Sequence, residues 1–292
     1  MEHAAAHDES GITRRPTLYV VATPIGNLAD VSARALDVLR GVAAIAAEDT
    51  RITRRLLARH GIEQRLIPLH EHNERSAAEK LLALLRAGHS VAYACDAGTP
   101  GVSDPGALLV RATRDAGFEV TPIPGPSAVT AALSVAGMTG PQFLFNGFLP
   151  ERPAARRRAL ASLAQMPCTL VFYEAPHRVE GCVADLAAVL GGSRRIVIAR
   201  ELTKRFESVH ECALAQAGDW LAADPLRRKG EFVLVVEGGA PVAADDAFAR
   251  RALEALLDEL PLKQAVALAA KIGGGDRKSL YRLALELKKR DS

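Results

Sequence analysis

"CDAGTPGVSDPG", Cys95–Gly106, decides the reading of this chain. It follows directly on the apolar run "SVAYA" and is followed at once by the helix-like "ALLVRATRDAG". Its glycines and prolines cannot extend a strand, so it reads as a loop between a strand and a helix. Glycine also allows backbone conformations closed to other residues and lets a ligand approach the main chain. Two loops of the same character, "ATPIGNLAD" and "PIPGPSA", follow other apolar runs. In an open α/β sheet the loops at the carboxyl ends of strands form the ligand crevice, so three such loops predict one shared pocket.

Outward from these loops, short apolar runs alternate with amphipathic ones from Thr17: "TLYVVAT", "VSARALDVLRG", "VAAIAAED", "RITRRLLARHG", "RLIPLH" and "ERSAAEKLLALLRAG". This alternation predicts an α/β fold with a largely parallel sheet. The first α/β domain is expected over 16–138, after a disordered tail at 1–15, and "MTGPQ" reads as a break. A second α/β domain, 139–240, carries more strands per helix and predicts a mixed sheet. "GGAPVAADDA" resembles a linker, and 245–292 switches to helical periodicity with the length and turn of a helix-turn-helix. Such a hairpin either covers a hydrophobic face or contacts nucleic acid.

At 292 residues, 49% hydrophobic and 24% charged, the chain has the profile of a folded globular protein, not of a disordered one. Aromatic residues at 4% argue against an extended base-stacking platform. A net charge of +3 is too weak alone to announce a nucleic-acid partner, and clusters such as "ARRRA" at 155–159 read as solvated helix faces unless they converge on one cleft. Cys95, Cys168, Cys182 and Cys212 lack metal-ligand spacing and read as small buried hydrophobes, so no metal is expected. With no signal-peptide pattern and no stretch of membrane-spanning length, a cytoplasmic location without membrane contact is expected.

Neither G-x-x-x-x-G-K-[ST] nor a G-x-G-x-x-G opening a helix is present. A small zwitterionic or nucleoside ligand, gripped by backbone amides and the hydroxyls of Thr99, Ser103 and Ser127, fits the loops better. In a purely structural reading Ser127 caps the following helix and Asp104 caps the one after Pro105.

"LYVVATPIGNLADVSARAL", "AEDTRITRRLL", "DAGTPGVSDPG", "PIPGPSAV", "FYEAPHR", "ARELTKRFE" and "RKGEFVLVVEG" occur in one order across roughly 17–290. Together they resemble the bacterial small-subunit ribosomal RNA methyltransferase I family, in the tetrapyrrole-methylase superfamily of class III S-adenosylmethionine-dependent enzymes. The resemblance implies a two-domain tetrapyrrole-methylase-like fold with the cofactor cleft between the domains and a small helical C-terminal appendage. It implies 2′-O-methylation of a cytidine ribose in the decoding region of 16S ribosomal RNA, within the small ribosomal subunit, by a homodimer. Carried over by motif, S-adenosyl-L-methionine would meet Pro24 and Ile25 of "TPI", Gly98, Thr99 and Val102 with Asp96 and Ser103 nearby, Ser127 and Ala128 of "GPSA", and Tyr173 and Ala175 of "YEAP". "GTP" stands where many relatives have G-D-P, a departure that favours the RNA branch.

Methyl transfer to a ribose hydroxyl requires in-line positioning and loss of the hydroxyl proton. Asp49, Asp104, Glu174, His177 and Glu201 are the candidate acceptors, none singled out by spacing, and each has a structural alternative as a cap or an ion-pair member. Arg51, Arg54, Arg55, Asn73 with His70 and His72, Arg178, Arg200, Lys204 and Arg205 flank the expected cleft as RNA contacts, holding phosphate without reading sequence. Two alternatives are a same-fold methyltransferase acting on a small molecule or modified protein side chain, and a non-catalytic RNA-binding assembly factor.

Overall fold

The computed structural model describes residues 15–70, 72–102, 105–239, 244–273 and 276–290. The first lobe runs β1 (Thr17–Val21), α1 (Ala33–Gly41), β2 (Ile45–Ala47), α2 (Thr50–Arg59), β3 (Leu66–Pro68), α3 (Glu74–Arg86), β4 (Val91–Ala94), α4 (Ala107–Asp115), β5 (Glu119–Ile123) and α5 (Ala128–Val135). Its sheet has the order β3-β2-β4-β1-β5, and every pairing is parallel. Helices cover both faces, which is why β4 is buried at all four positions and shows no polar alternation. One core lies under α3 and α4 around Leu81, Tyr93 and Leu109, the other under α1 and α2 around Val38, Leu39 and Leu57.

The second lobe runs β6 (Phe143–Phe148), α6 (Pro153–Leu163), β7 (Thr169–Glu174), α7 (Val179–Leu190), β8 (Arg195–Arg200), β9 (Ser208–Ala213), α8 (Leu214–Ala222) and β10 (Phe232–Val236). Its order is β6-β7-β10-β8-β9, with β6 and β7 parallel and the other pairings antiparallel, the mixed sheet expected from the sequence. The helix α8 departs from the sequence pattern. "FESVHECAL" reads as one run, but the strand ends at Ala213 and a helix begins at Leu214, whose Leu214, Ala217 and Leu221 recur at helical spacing and enter the core beside α7.

One face of this second sheet packs on α6, α7 and α8. The other is covered by α5: Val129, Ala132 and Ala136 sit on Val171, Val197, Val233 and Val235. The last helix of the first lobe therefore docks the two lobes by apolar burial, the dominant favourable contribution to such contacts. "ARRRA" is not uniformly solvated: Arg156 is buried, with its Nη2 2.7 Å from Asp185 Oδ2.

Helices α9 (Ala244–Leu257), α10 (Leu262–Gly273) and α11 (Arg277–Arg290) share a separate core of Leu253, Ala265, Val266, Ala269, Leu280 and Ala284. Residues 240–243 of the stretch read as a linker lie outside the described residues, as does 1–14 of the expected tail. Among the described residues no helix is long and apolar enough to cross a membrane.

Candidate cofactor cleft

The glycine- and proline-rich loops are laced together by main-chain hydrogen bonds. Past the end of β1, the Ala22 N–H donates to Ile123 O at 3.1 Å, and Thr23 exchanges two bonds with Gly98, at 2.8 and 3.0 Å. The Thr23 hydroxyl donates to Cys95 O at 3.1 Å, and the Thr99 hydroxyl to Pro126 O at 3.2 Å. Gly98 has φ +86°, a left-handed conformation costly for any residue with a Cβ, and a Cβ there would lie 3.5 Å from Ile25. The fixed backbone, more than any side chain, shapes this floor.

The far end of the 95–106 loop is pinned by a residue the sequence reading missed. Glu74, at the start of α3, is buried, and its Oε1 accepts the N–H groups of Gly106, Leu108 and Leu109 at 3.0, 2.9 and 3.2 Å. A carboxylate at a helix N-terminus is favoured by both orphan N–H groups and helix dipole. The expected cap, Asp104, lies outside the described residues, as does Ser103. Ser127 occupies the N-cap position of α5, yet its side chain makes no capping bond, contrary to the capping expectation.

These loops and the C-terminal end of β7 enclose a cavity of about 350 Å³ between the lobes. Ile25, Gly98, Thr99, Val102, Ser127 and Ala128 line it from the first lobe, and Tyr173 and Ala175 from the second. Pro24 is buried outside the lining, and Asp96 is turned toward α2, its Oδ1 accepting the Asp49 N–H at 2.8 Å. The lining also includes Phe148, Leu202, Lys204, Glu231, Phe232 and Val233. Tyr173 is held edge-on by Phe145 and Phe148, with ring centroids 4.9 and 5.6 Å away. An apolar cavity with a few convergent polar groups is the usual form of a small-molecule site.

The candidate proton acceptors are placed very differently. Asp49 caps α2 and pairs with Arg51 at 2.6 Å, and the hydrogen bonds from Arg51 hold its carboxyl down at about 2. His177 is exposed in the turn before α7 and is not among the lining residues. Glu174 lies at the cavity edge, but strand alternation turns its side chain to the opposite face, fully buried, 3.0 Å from Arg178. There burial and the Glu174 carboxylate together push the Cys182 thiol up.

Glu201 belongs to a network around Lys204. Lys204 Nζ donates to Glu201 Oε1 at 2.9 Å and to Glu231 Oε2 at 2.7 Å, and the Glu231 N–H donates to Glu201 Oε1 at 3.0 Å. Burial raises the Glu201 carboxyl, but the hydrogen bonds from Lys204 and the Glu231 N–H outweigh it and leave it below its ordinary value. Burial likewise pulls the Lys204 ammonium down, and its bonds to Glu231 and Glu201 reverse the direction and raise it. Glu201 and Thr203 have φ of 52° and 67°, strained values for non-glycine residues of the kind that gather at functional sites. The neighbouring Gly230, φ +93°, leaves the room Glu201 occupies, since a Cβ would come within 2.3 Å of Glu201 Cγ. The Asn27 N–H donates to Thr203 Oγ1 at 3.1 Å, tying this loop to the first lobe.

The proposed RNA contacts also divide. Arg54, Arg55 and Arg205 are exposed, and Arg51 is exposed but paired with Asp49. Arg200 is buried, donating to Lys229 O at 2.7 Å and Phe206 O at 2.8 Å. Arg178 is held by Glu174 and by Leu149 O, and Asn73 is used locally, its Oδ1 accepting the His70 N–H at 2.8 Å. The His70 and His72 rings meet edge-on, 6.1 Å apart.

Two lobes joined by an interlobe cleft floored with strand-end loops define a class. Residues 17–218 match the model of the Tetrapyrrole (Corrin/Porphyrin) Methylases. The fold is similar to cobalt precorrin-4 methyltransferase, a cobalamin biosynthetic enzyme, at TM-score 0.59 and 16% identity over 75% of this chain and 94% of that one. A uroporphyrin-III C-methyltransferase from Thermus thermophilus, complexed with S-adenosylhomocysteine, is similar at TM-score 0.54 and 17% identity over 76% and 97% of the two chains. More narrowly, the chain is 54% identical over 266 residues to ribosomal RNA small subunit methyltransferase I of Xylella fastidiosa, covering 91% of this chain and 97% of that one. It is 49% identical over 286 residues to the Escherichia coli O157:H7 protein of the same name, covering 98% of each. Residues 243–288 match the RsmI C-terminal HTH domain. The chain therefore belongs to the ribosomal RNA small subunit methyltransferase I family.

Proposed function

We propose that this chain transfers a methyl group from S-adenosylmethionine to the 2′-hydroxyl of a cytidine in the decoding region of 16S ribosomal RNA, acting on the small ribosomal subunit as a cytoplasmic homodimer. The observation that carries this reading is the convergence of three backbone loops and the end of β7 on one cleft in a chain of this family. The residues fit the cofactor: Gly98 leaves open the space a side chain would fill, the Ser127 side chain makes no capping bond, and the walls at Ile25, Val102 and Leu202 are apolar. When bound, the sulfonium supplies an activated methyl group that an oxygen nucleophile can take. Gly98, Thr99, Ser127 and Ala128 would hold the cofactor on one side, and Phe148 and Tyr173 would screen it from water on the other. Positioning of this kind accounts for much of the acceleration of a displacement reaction.

Exposed cations support the RNA reading. Arg54, Arg55 and Arg205 stand on the lobes, and α10 and α11 add Lys263, Arg277, Lys278 and Arg282 around the exposed Tyr281. Such cations give salt-dependent phosphate binding, and the shape of the RNA then selects one ribose. Incubation with labelled S-adenosylmethionine and small subunits from a strain lacking the enzyme should place label on a ribose oxygen. Label only on a base, or only on a small molecule, refutes the reading. Absence of cofactor binding in calorimetry leaves only the non-catalytic assembly factor.

A further inference from the structure

Resting on the ribose-methylation reading, the geometry points to Glu231 as the catalytic proton acceptor, with Lys204 and Glu201 as the residues that position it. Glu231 stands immediately before β10 in "RKGEFVLVVEG", a segment that carries the family resemblance without assigning this residue a role. Besides the Tyr173 phenol, the ionisable groups lining the cleft among the described residues are Glu174, Lys204 and Glu231. Glu174 is closed off: its side chain is fully buried on the far face of β7, against Arg178. Lys204 is protonated and has no lone pair to offer. The Glu231 carboxylate, with 77% of its side chain exposed, can meet an incoming hydroxyl and return a proton to water.

What distinguishes Glu231 from an ordinary surface carboxylate is how tightly it is held. Its N–H donates to Glu201 Oε1 at 3.0 Å, its carbonyl accepts the Glu201 N–H at 2.9 Å, and its Oε2 accepts from Lys204 at 2.7 Å. Lys204 is in turn anchored by Glu201, whose backbone is in a strained left-handed conformation. Such strain persists where surrounding structure over-determines it, and here it anchors a bonded ammonium–carboxylate pair whose two residues both line the cleft. A lysine bonded to one carboxylate oxygen leaves the other free to accept.

In the step, the ribose O–H bond breaks, its proton passes to the free Glu231 oxygen, and its electron pair forms the new O–C bond. The sulfur–methyl bond breaks with its pair retained by sulfur, leaving a neutral thioether. Protonated Glu231 then releases its proton to solvent. The charges facing Glu231 are Lys204 and Glu201 from the 201–207 loop, with the Arg200 guanidinium turned toward the carbonyls of Lys229 and Phe206.

The test compares wild type with Glu231→Gln and Glu231→Asp on small subunits lacking the modification. Cofactor Kd by calorimetry and subunit Kd by filter binding are measured alongside. General-base catalysis contributes roughly 10²–10⁴-fold, so Glu231→Gln should lower kcat by about a hundredfold or more. Both Kd values should stay within threefold, the acid limb of the kcat–pH profile should vanish, and Glu231→Asp should recover part of the rate. Lys204→Met should lower kcat and shift that acid limb without removing it. If wild type labels the ribose and Glu231→Gln keeps more than a third of kcat, the assignment is overturned while the functional reading stands. Loss of rate matched by loss of either affinity also overturns it, as the mark of a structural role. No ribose label from wild type overturns both.

Discussion

Replacing Glu74 tests whether the cleft is built by the buried cap on α4. Its Oε1 accepts three N–H groups, from Gly106, Leu108 and Leu109, at the point where the 95–106 loop turns into the helix. Glu74→Gln keeps an acceptor oxygen and loses the charge, forfeiting about 1–2 kcal/mol of interaction with the helix dipole in a buried setting. Glu74→Ala also leaves buried donors without partners, and the loss rises to about 3–5 kcal/mol, the range for removing one side of a buried charged interaction. Against a typical stability of about 5–15 kcal/mol this is a large fraction. Urea unfolding followed by circular dichroism reads the stability. Calorimetry reads the cofactor affinity, which should fall in the same order because Gly98, Thr99 and Val102 lie on the pinned loop. A Glu74→Ala protein within 1 kcal/mol of wild type, or one equal to Glu74→Gln, refutes the account.

Ser127→Tyr should fill the cavity and weaken cofactor binding more than tenfold with little change in melting temperature. Gly98→Val should do the same and also lose about 1–2 kcal/mol of stability to its left-handed backbone; unchanged cofactor affinity in both removes these loops from the site. The Asp49 carboxyl, lowered from 3.8 to about 2 by the hydrogen bonds from Arg51, contributes stability that is present above 3.8 and lost as pH falls through about 2. The difference in urea midpoint between wild type and Asp49→Asn, which can still cap α2, should therefore shrink from pH 5 to pH 2; a constant difference contradicts the pairing. Lys278→Glu with Arg282→Glu on α11 should weaken subunit binding and flatten its salt dependence by about 0.7–0.9 in log–log slope per lost phosphate contact. An unchanged slope takes this face out of the RNA interface.

The class of fold is legible in the order of residues alone. Apolar runs alternating with amphipathic ones specify strands and helices because burial demands those periods, and "SVAYA" next to "CDAGTPGVSDPG" marks a strand end where helix and sheet give way to backbone. The same order also marks the loops that line the cleft, since glycine and proline state their backbone demands locally. The helix α8 escaped because it begins at the residue after a strand ends, so no breaker separates the two periodicities. What each polar side chain does follows from how the elements pack in space. Glu174 and Tyr173 are neighbours in one motif, yet strand alternation sends one into a buried ion pair and the other into the cleft. Glu74 caps a helix more than thirty residues away, and Glu231 meets Lys204 across 27, because hydrogen bonds depend on distance in space, to which periodicity along the chain is blind.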